Sequence, residues 1–178
     1  QRLASAIIDI IKPSPDEPFS DLCCGSGAVT IEAVSRGHEP RLATMVDNGP
    51  WGQVWEEVGA GRFSLDVLVR VATAVPAEVS QQADFLRELA KQDANVDTTA
   101  TFLILQAGSF GGKAIGRRGN VWRTHGFRKP WQSAVVASRH TVTMHPKTSE
   151  IVQRMRVLCE LLMGVKVHHC EFETASNM

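Results

Sequence analysis

Three residues set the first chemical question: Gly25, Gly27 and Asp47. Gly25-Ser26-Gly27 follows a short apolar run, Phe19 to Cys24, and precedes a segment with helical spacing, Ala28 to Ser35. A glycine turn between a strand and a helix lets the backbone bend sharply and lets a ligand approach with no Cβ in the way. Asp47 closes the next apolar run, Arg41 to Val46, and stands 22 residues after Gly25. Ligands of open α/β sheets sit at the carboxyl ends of the strands, where such an acid accepts hydrogen bonds from both hydroxyls of a ribose. A dinucleotide fingerprint would carry a third glycine where this chain has Thr30, which disfavours a nicotinamide cofactor. The competing explanation is a glycine turn that serves packing alone.

A second chemical signal is charge. The formal net charge is zero, with 19 basic and 19 acidic residues. From Thr98 to Ser149 there is no Asp or Glu, and eight Lys and Arg give that stretch +8, leaving −8 for the rest. A basic lobe on an acidic body suggests a polyanionic partner; the plainer alternative is a solvated face. Lys113, Arg117, Arg118, Arg123 and Arg128 are candidates to neutralise phosphates. Asn120 or an Arg is a candidate to read base edges, and Phe110 and Trp122 to stack on or wedge between bases, with core packing the competing role of both aromatics. His125 lies in the same basic segment. The four cysteines, Cys23, Cys24, Cys159 and Cys170, form no C-x-x-C pair, so reduced thiols are expected. His168, His169 and Cys170 are adjacent on an expected strand, point to alternate faces and do not suggest a zinc site.

These residues need elements to hold them. Residues 3–12 read as an amphipathic helix ended by Pro13 and Pro15. Strand, helix, strand and helix then alternate: 19–24, 28–35, 41–46 and 51–58, which indicates a parallel sheet of the doubly wound type. Residues 65–74 and 77–91 read as helices, 99–106 as a helix or strand, and 108–131 as a loop or hairpin rich in Gly, Arg and Trp. Val135 and Val136 are too short a run to assign. A helix over 148–163, capped by Gly164, leads to a further strand at 165–170. The expected organisation is a cofactor-holding half at 1–61, an inserted lobe at 62–146 and a return to the sheet at 147–178. No apolar run reaches the ~18 residues that a membrane span needs. Gln1-Arg2-Leu3 shows neither a signal-peptide pattern nor an initiator Met, so a fragment or a processed product is expected.

Asp21-Leu22-Cys23-Cys24-Gly25-Ser26-Gly27-Ala28-Val29 resembles the D-P-F-C-G-x-G-A-V signature of Dam-like adenine-specific DNA methyltransferases. In that family the loop wraps the methionine part of S-adenosylmethionine. Asp47 matches the acid that holds the ribose, and Asn48 follows it in the usual position. Residues 102–113, reading F-L-I-L-Q-A-G-S-F-G-G-K, are similar to the family's F-L-x-L-N-R-x-x-F-N-G segment, most closely in phage-borne members. Gly119 to Trp122 and Phe127 to Trp131 are similar to the hairpin that follows. Val165 to Phe172 resembles the strand ending in G-D-F, with Glu171 at the place of the acid that contacts the adenine ring and Phe172 after it.

The resemblance spans nearly all of residues 1–172. It implies a Rossmann-like class I methyltransferase sheet with a mostly helical inserted DNA-recognition lobe, S-adenosylmethionine as cofactor and double-stranded DNA as partner. It implies no membrane association, and a cytoplasmic setting in a bacterial or phage-infected host cell. The cofactor contacts so implied are Asp21, Cys23, Cys24, Gly25, Ser26, Gly27, Ala28, Val29, Asp47, Asn48, Glu171 and Phe172; DNA contacts fall in the basic lobe, with Lys113, Arg117, Arg118, Asn120, Trp122, Arg123, His125 and Arg128 the candidates. The family's Asp-Pro-Pro-Tyr motif has no counterpart: the chain has no Pro-Pro pair and no Tyr. No catalytic residue is therefore assigned, and a sheet incomplete at the C-terminus, truncated before that motif, is the expectation. A methyltransferase acting on RNA or protein, and a non-catalytic module binding DNA or a nucleotide-like ligand, are the alternatives.

Overall fold

A computed structural model describes residues 2–128, 144 and 146–170. The chain is mixed α/β and divides into two compact units, Gln1–Phe63 with Met155–Met178, and Ser64–Arg154. The sequence had suggested boundaries after residues 61 and 146.

In the first unit, α1 (Arg2–Ile11) precedes β1 (Phe19–Asp21), α2 (Ala28–Ser35), β2 (Ala43–Val46) and α3 (Pro50–Gly59). After the other unit the chain returns through α7 (Thr148–Leu161), within which the division falls, to β5 (Lys166–His168). The three strands form a parallel sheet in the order β1-β2-β5. Phe19 pairs with Ala43, Asp21 with Met45, and Val46 with His168. Central β2 is apolar and almost wholly buried, as a strand flanked on both edges and covered by helices must be. Met45, Val46, Val54, Trp55, Val58 and Leu162 are among the most deeply buried side chains.

β1 is shorter than the apolar run at 19–24 suggests. Only Phe19–Asp21 is strand, and the chain turns at Leu22, although the Cys24 N–H still donates to the Val46 carbonyl at 3.0 Å. β2 likewise begins late, because Pro40–Leu42 forms a 3-10 turn capped by the Glu39 side chain. Such a turn suits Pro at the first position, where no N–H is needed.

α1 packs on α2. A cavity of about 210 Å³ lies beside them, before the amino ends of β1 and β2, with Ile8, Pro13, Ala33, Arg36 and His38 in its wall. Arg36 is bound to Asp9, Glu32 and Ser5, and His38 Nδ1 to the Ser14 carbonyl at 3.0 Å, while His38 Nε2 is buried with no hydrogen-bond partner among the described residues.

The second unit holds α4 (Leu65–Ala74), α5 (Val79–Leu89), α6 (Thr98–Gly108) and a two-stranded antiparallel hairpin, β3 (Gly116–Arg118) with β4 (Val121–Arg123). The run at 99–106, helix or strand by sequence, is helix. α6 is buried along nearly its whole length and packs on α4 and α5. Buried on nearly every side, it is the core of its unit rather than a surface helix. Its last residue, Gly108, touches Leu86 so closely that a Cβ there would stand 2.2 Å from the Leu86 Cδ1. Among the described residues, no helix is long and apolar enough to cross a membrane.

Candidate functional site

The parallel register brings the carboxyl ends of β1 and β2 side by side, and both loops that leave them carry the residues singled out by sequence. Asp47, the first residue after β2, joins the loops. Its Oδ2 accepts the Gly25 N–H at 3.0 Å, and its Oδ1 accepts the Gly49 N–H at 2.7 Å. The two hydrogen bonds fix the carboxylate against the glycine turn. A carboxylate offers about four lone-pair sites, so two remain for a ligand.

The turn is shaped by its two glycines, with different demands. Gly27 is left-handed (φ 71°), and a Cβ there would lie 2.8 Å from Met45 Cε and about 3 Å from the Trp55 ring. Gly25 is also left-handed (φ 47°), but a Cβ there would meet nothing within 4 Å. Gly27 is thus required by packing, whereas Gly25 borders open space.

Asp21 ends β1 and turns inward to the first turn of α2. Its carboxylate accepts the Thr30 hydroxyl at 3.1 Å and the backbone N–H groups of Thr30 and Cys23. Its pKa is nonetheless raised: burial is the largest cause and outweighs those bonds, and the charge of Asp47 adds to it. Burial, then the same two carboxylates, pushes the Cys24 thiol well above its ordinary value. The protonated thiol of Cys24 is therefore favoured over the thiolate. Neither Asp21 nor Asp47 forms a salt bridge among the described residues. The two carboxylates make the end of β1 and β2 acidic, which favours a cationic or hydroxyl-bearing group over a phosphate there.

The other expected cofactor residues are distributed around this centre. Cys23 and Ser26 are exposed on the turn, Ala28 and Val29 are half-buried in the first turn of α2, and Asn48 is exposed beside Asp47. The end of β5 reaches the same place. The Asp47 N–H donates to the His168 carbonyl at 3.2 Å, and His169 Nε2 lies 3.2 Å from the Asn48 carbonyl. Glu171 and Phe172 fall outside the described residues.

Sequence reasoning missed three contributors. Trp55 of α3 donates its indole N–H to the Gly25 carbonyl at 2.8 Å and is 2% exposed. Trp51, one turn earlier, stacks on Trp55 with centroids 5.6 Å apart and planes 10° from parallel. Gly52 permits the loop to close, since a Cβ there would stand 2.2 Å from the Asp47 carbonyl oxygen. The i, i+4 spacing of the tryptophans is visible in the sequence, but their partner 30 residues upstream is not.

The basic candidates lie on the second unit. Directly opposed residues of an antiparallel pair share a face. Arg118 faces Val121 and Gly116 faces Arg123, so Arg118, Val121 and Arg123 form one face of the hairpin, and all three are exposed. Lys113, Arg117, Asn120 and His125 are exposed too. One candidate is corrected. Trp122 is 5% exposed and stacks on Phe102 at 6.3 Å, so it packs in the unit's core and is not presented for base stacking. Arg128 is half-buried, with Nε donating to the Ser109 carbonyl at 3.1 Å. Phe110, by contrast, is 59% exposed. Among the described residues, no group of three or more His, Cys, Asp or Glu is arranged to hold a metal ion.

Comparison with models of known families, with curated proteins and with solved structures finds no match for this chain.

Proposed function

We propose that the chain binds S-adenosylmethionine where β1 and β2 end, and that it is the cofactor-holding part of a site-specific DNA adenine methyltransferase with a Rossmann-like sheet. The observation that carries the proposal is the Asp47 carboxylate held 3.0 Å from the Gly25 N–H. It puts the acid that would take the ribose hydroxyls beside the turn that would wrap the methionine moiety. The parallel order β1-β2-β5, with helices between successive strands, supports a doubly wound half-sheet. The Asp47 carboxylate beside the turn, with the Asp21 charge behind it, supports a sulfonium cofactor and disfavours the pyrophosphate of a dinucleotide.

In this reading the bound cofactor supplies a methyl group on a cationic sulfur, open to displacement by the exocyclic amine of a flipped adenine. This chain's own contribution is orientation: the turn at 25–27 and Asp47 fix the cofactor, and proximity supplies much of the rate. The basic face of Arg118 and Arg123 would neutralise backbone phosphates. No side chain here is assigned to the amine's protons. A cytoplasmic setting in a bacterial or phage-infected host belongs to the same reading.

Calorimetry of the chain with S-adenosylhomocysteine tests it. Binding by the wild type, weakened about 10- to 100-fold in Asp47→Ala through loss of charge-assisted hydrogen bonds, is expected. No binding by the wild type, or equal binding by both, rejects it. One observation favours a second reading, a non-catalytic DNA-binding module: both Asp47 oxygens already hold backbone N–H groups, as a purely architectural brace would. DNA binding without any cofactor binding is the outcome expected of that module. A methyltransferase of this fold acting on RNA or protein would bind the cofactor equally well and differ in which polymer is methylated.

A further inference from the structure

We propose that Trp55 is the positioning residue of the glycine turn, setting through its indole N–H the peptide geometry on which the cofactor docks. The inference rests on the cofactor reading above for its consequence, though not for its geometry. The Gly25 residue has no side chain to anchor it, and nothing stands within 4 Å of where its Cβ would be. Its two peptide groups are instead held from outside. The N–H is taken by Asp47 Oδ2 at 3.0 Å, and the C=O accepts the Trp55 Nε1–H at 2.8 Å. Together they lock the left-handed φ of 47° on both sides.

The indole is itself immobilised. It is 2% exposed, lies about 3 Å from the place of a Gly27 Cβ, and stacks in parallel on Trp51. Both clamps come from one segment, because Asp47 also accepts the Gly49 N–H just before Pro50 opens α3. Asp47 before α3 and Trp55 within it therefore hold the turn that joins β1 to α2. Without the indole N–H, the Gly25 carbonyl would keep only the weak Cys24 thiol contact at 3.8 Å, and a ligand would have to restore the turn as it binds. Ordering of that kind is deducted from affinity.

Ring packing alone makes a different forecast from hydrogen bonding. Trp55→Phe keeps an aromatic ring and loses the N–H. Benzothienylalanine at position 55 keeps the full bicyclic size and loses only the N–H, so it serves if the Phe variant fails to fold. Each is measured in the whole chain by calorimetry with S-adenosylhomocysteine, by thermal melting, and by amide hydrogen exchange at Gly25, Ser26 and Gly27. The expected result is affinity about three- to tenfold weaker, the worth of one net hydrogen bond. Exchange at those three amides should be faster, with Met45 and Val46 in β2 unchanged. Unaltered affinity and unaltered turn exchange in the benzothienyl variant overturn the proposal. If the wild type binds no S-adenosylhomocysteine but the turn amides still exchange faster, the positioning role stands and the cofactor reading falls. If neither ligand binding nor turn exchange responds, both fall.

Discussion

Asp47 and Asp21 show how two like residues 26 positions apart take different work from their surroundings. Asp47 directs its oxygens to glycine N–H groups in the two loops. Asp21 turns inward and spends its carboxylate on Thr30 and Cys23. Burial raises its pKa above the ordinary value of 3.8, so the folded state holds that proton more tightly than the unfolded chain does. The sign follows: this group's contribution to stability grows as pH falls through the raised pKa and is lost as pH rises through it. Asp21→Asn removes the titration. The melting-temperature difference between wild type and variant should therefore move in the wild type's favour from pH 7 to about pH 4.5. A difference that is flat with pH, or that moves the other way, would contradict the buried placement of this carboxyl.

The turn between β1 and α2 gives its two glycines unequal duties. Ala at position 27 has to fit against Met45 and the Trp55 ring in a left-handed backbone. Gly27→Ala should cost about 2–4 kcal/mol, combining backbone strain with overpacking. Gly25→Ala bears only the backbone term, about 1 kcal/mol, since its Cβ points to open space. Denaturant midpoints should rank wild type above Gly25→Ala and that above Gly27→Ala. Ligand affinity should separate them differently, because a methyl at position 25 fills the space a cofactor would occupy. If Gly25→Ala binds S-adenosylhomocysteine as the wild type does, the ligand does not lie on that side of the turn. The same element explains why α2 needs no side-chain N-cap: Gly27 stands at the cap position, and the Asp21 carboxylate reaches the Thr30 N–H from the end of β1.

At the scale of the molecule, charge is segregated by unit more than by residue. The run from Thr98 to Ser149 carries +8 on a chain of zero net charge, and the acidic site lies in the other unit. If Arg118 and Arg123 meet phosphates, log affinity for duplex DNA should fall linearly with log salt. Arg118→Ala and Arg123→Ala should each reduce that slope by about 0.9 per lost contact. Slopes unchanged in the double variant would move the DNA surface off this hairpin face. Trp122→Phe, by contrast, should weaken stability and leave the slope alone, since that ring packs on Phe102 inside the unit.

The order of strands and helices in the first unit, the glycine turn and the acid after β2 were all legible in the chain, because each depends on neighbours a few residues away. Periodicity marks a buried strand, and a left-handed turn selects glycine wherever it occurs. Tertiary structure decided the rest. Whether Asp47 meets Gly25 depends on the parallel register of β1 and β2, which no local pattern contains. That Trp55 holds the turn while Trp122 sinks into the other unit could not be read from two aromatics of equal hydrophobicity. Burial is a property of what the fold brings opposite a side chain, and that partner lies 30 residues away for Trp55 and 20 for Trp122.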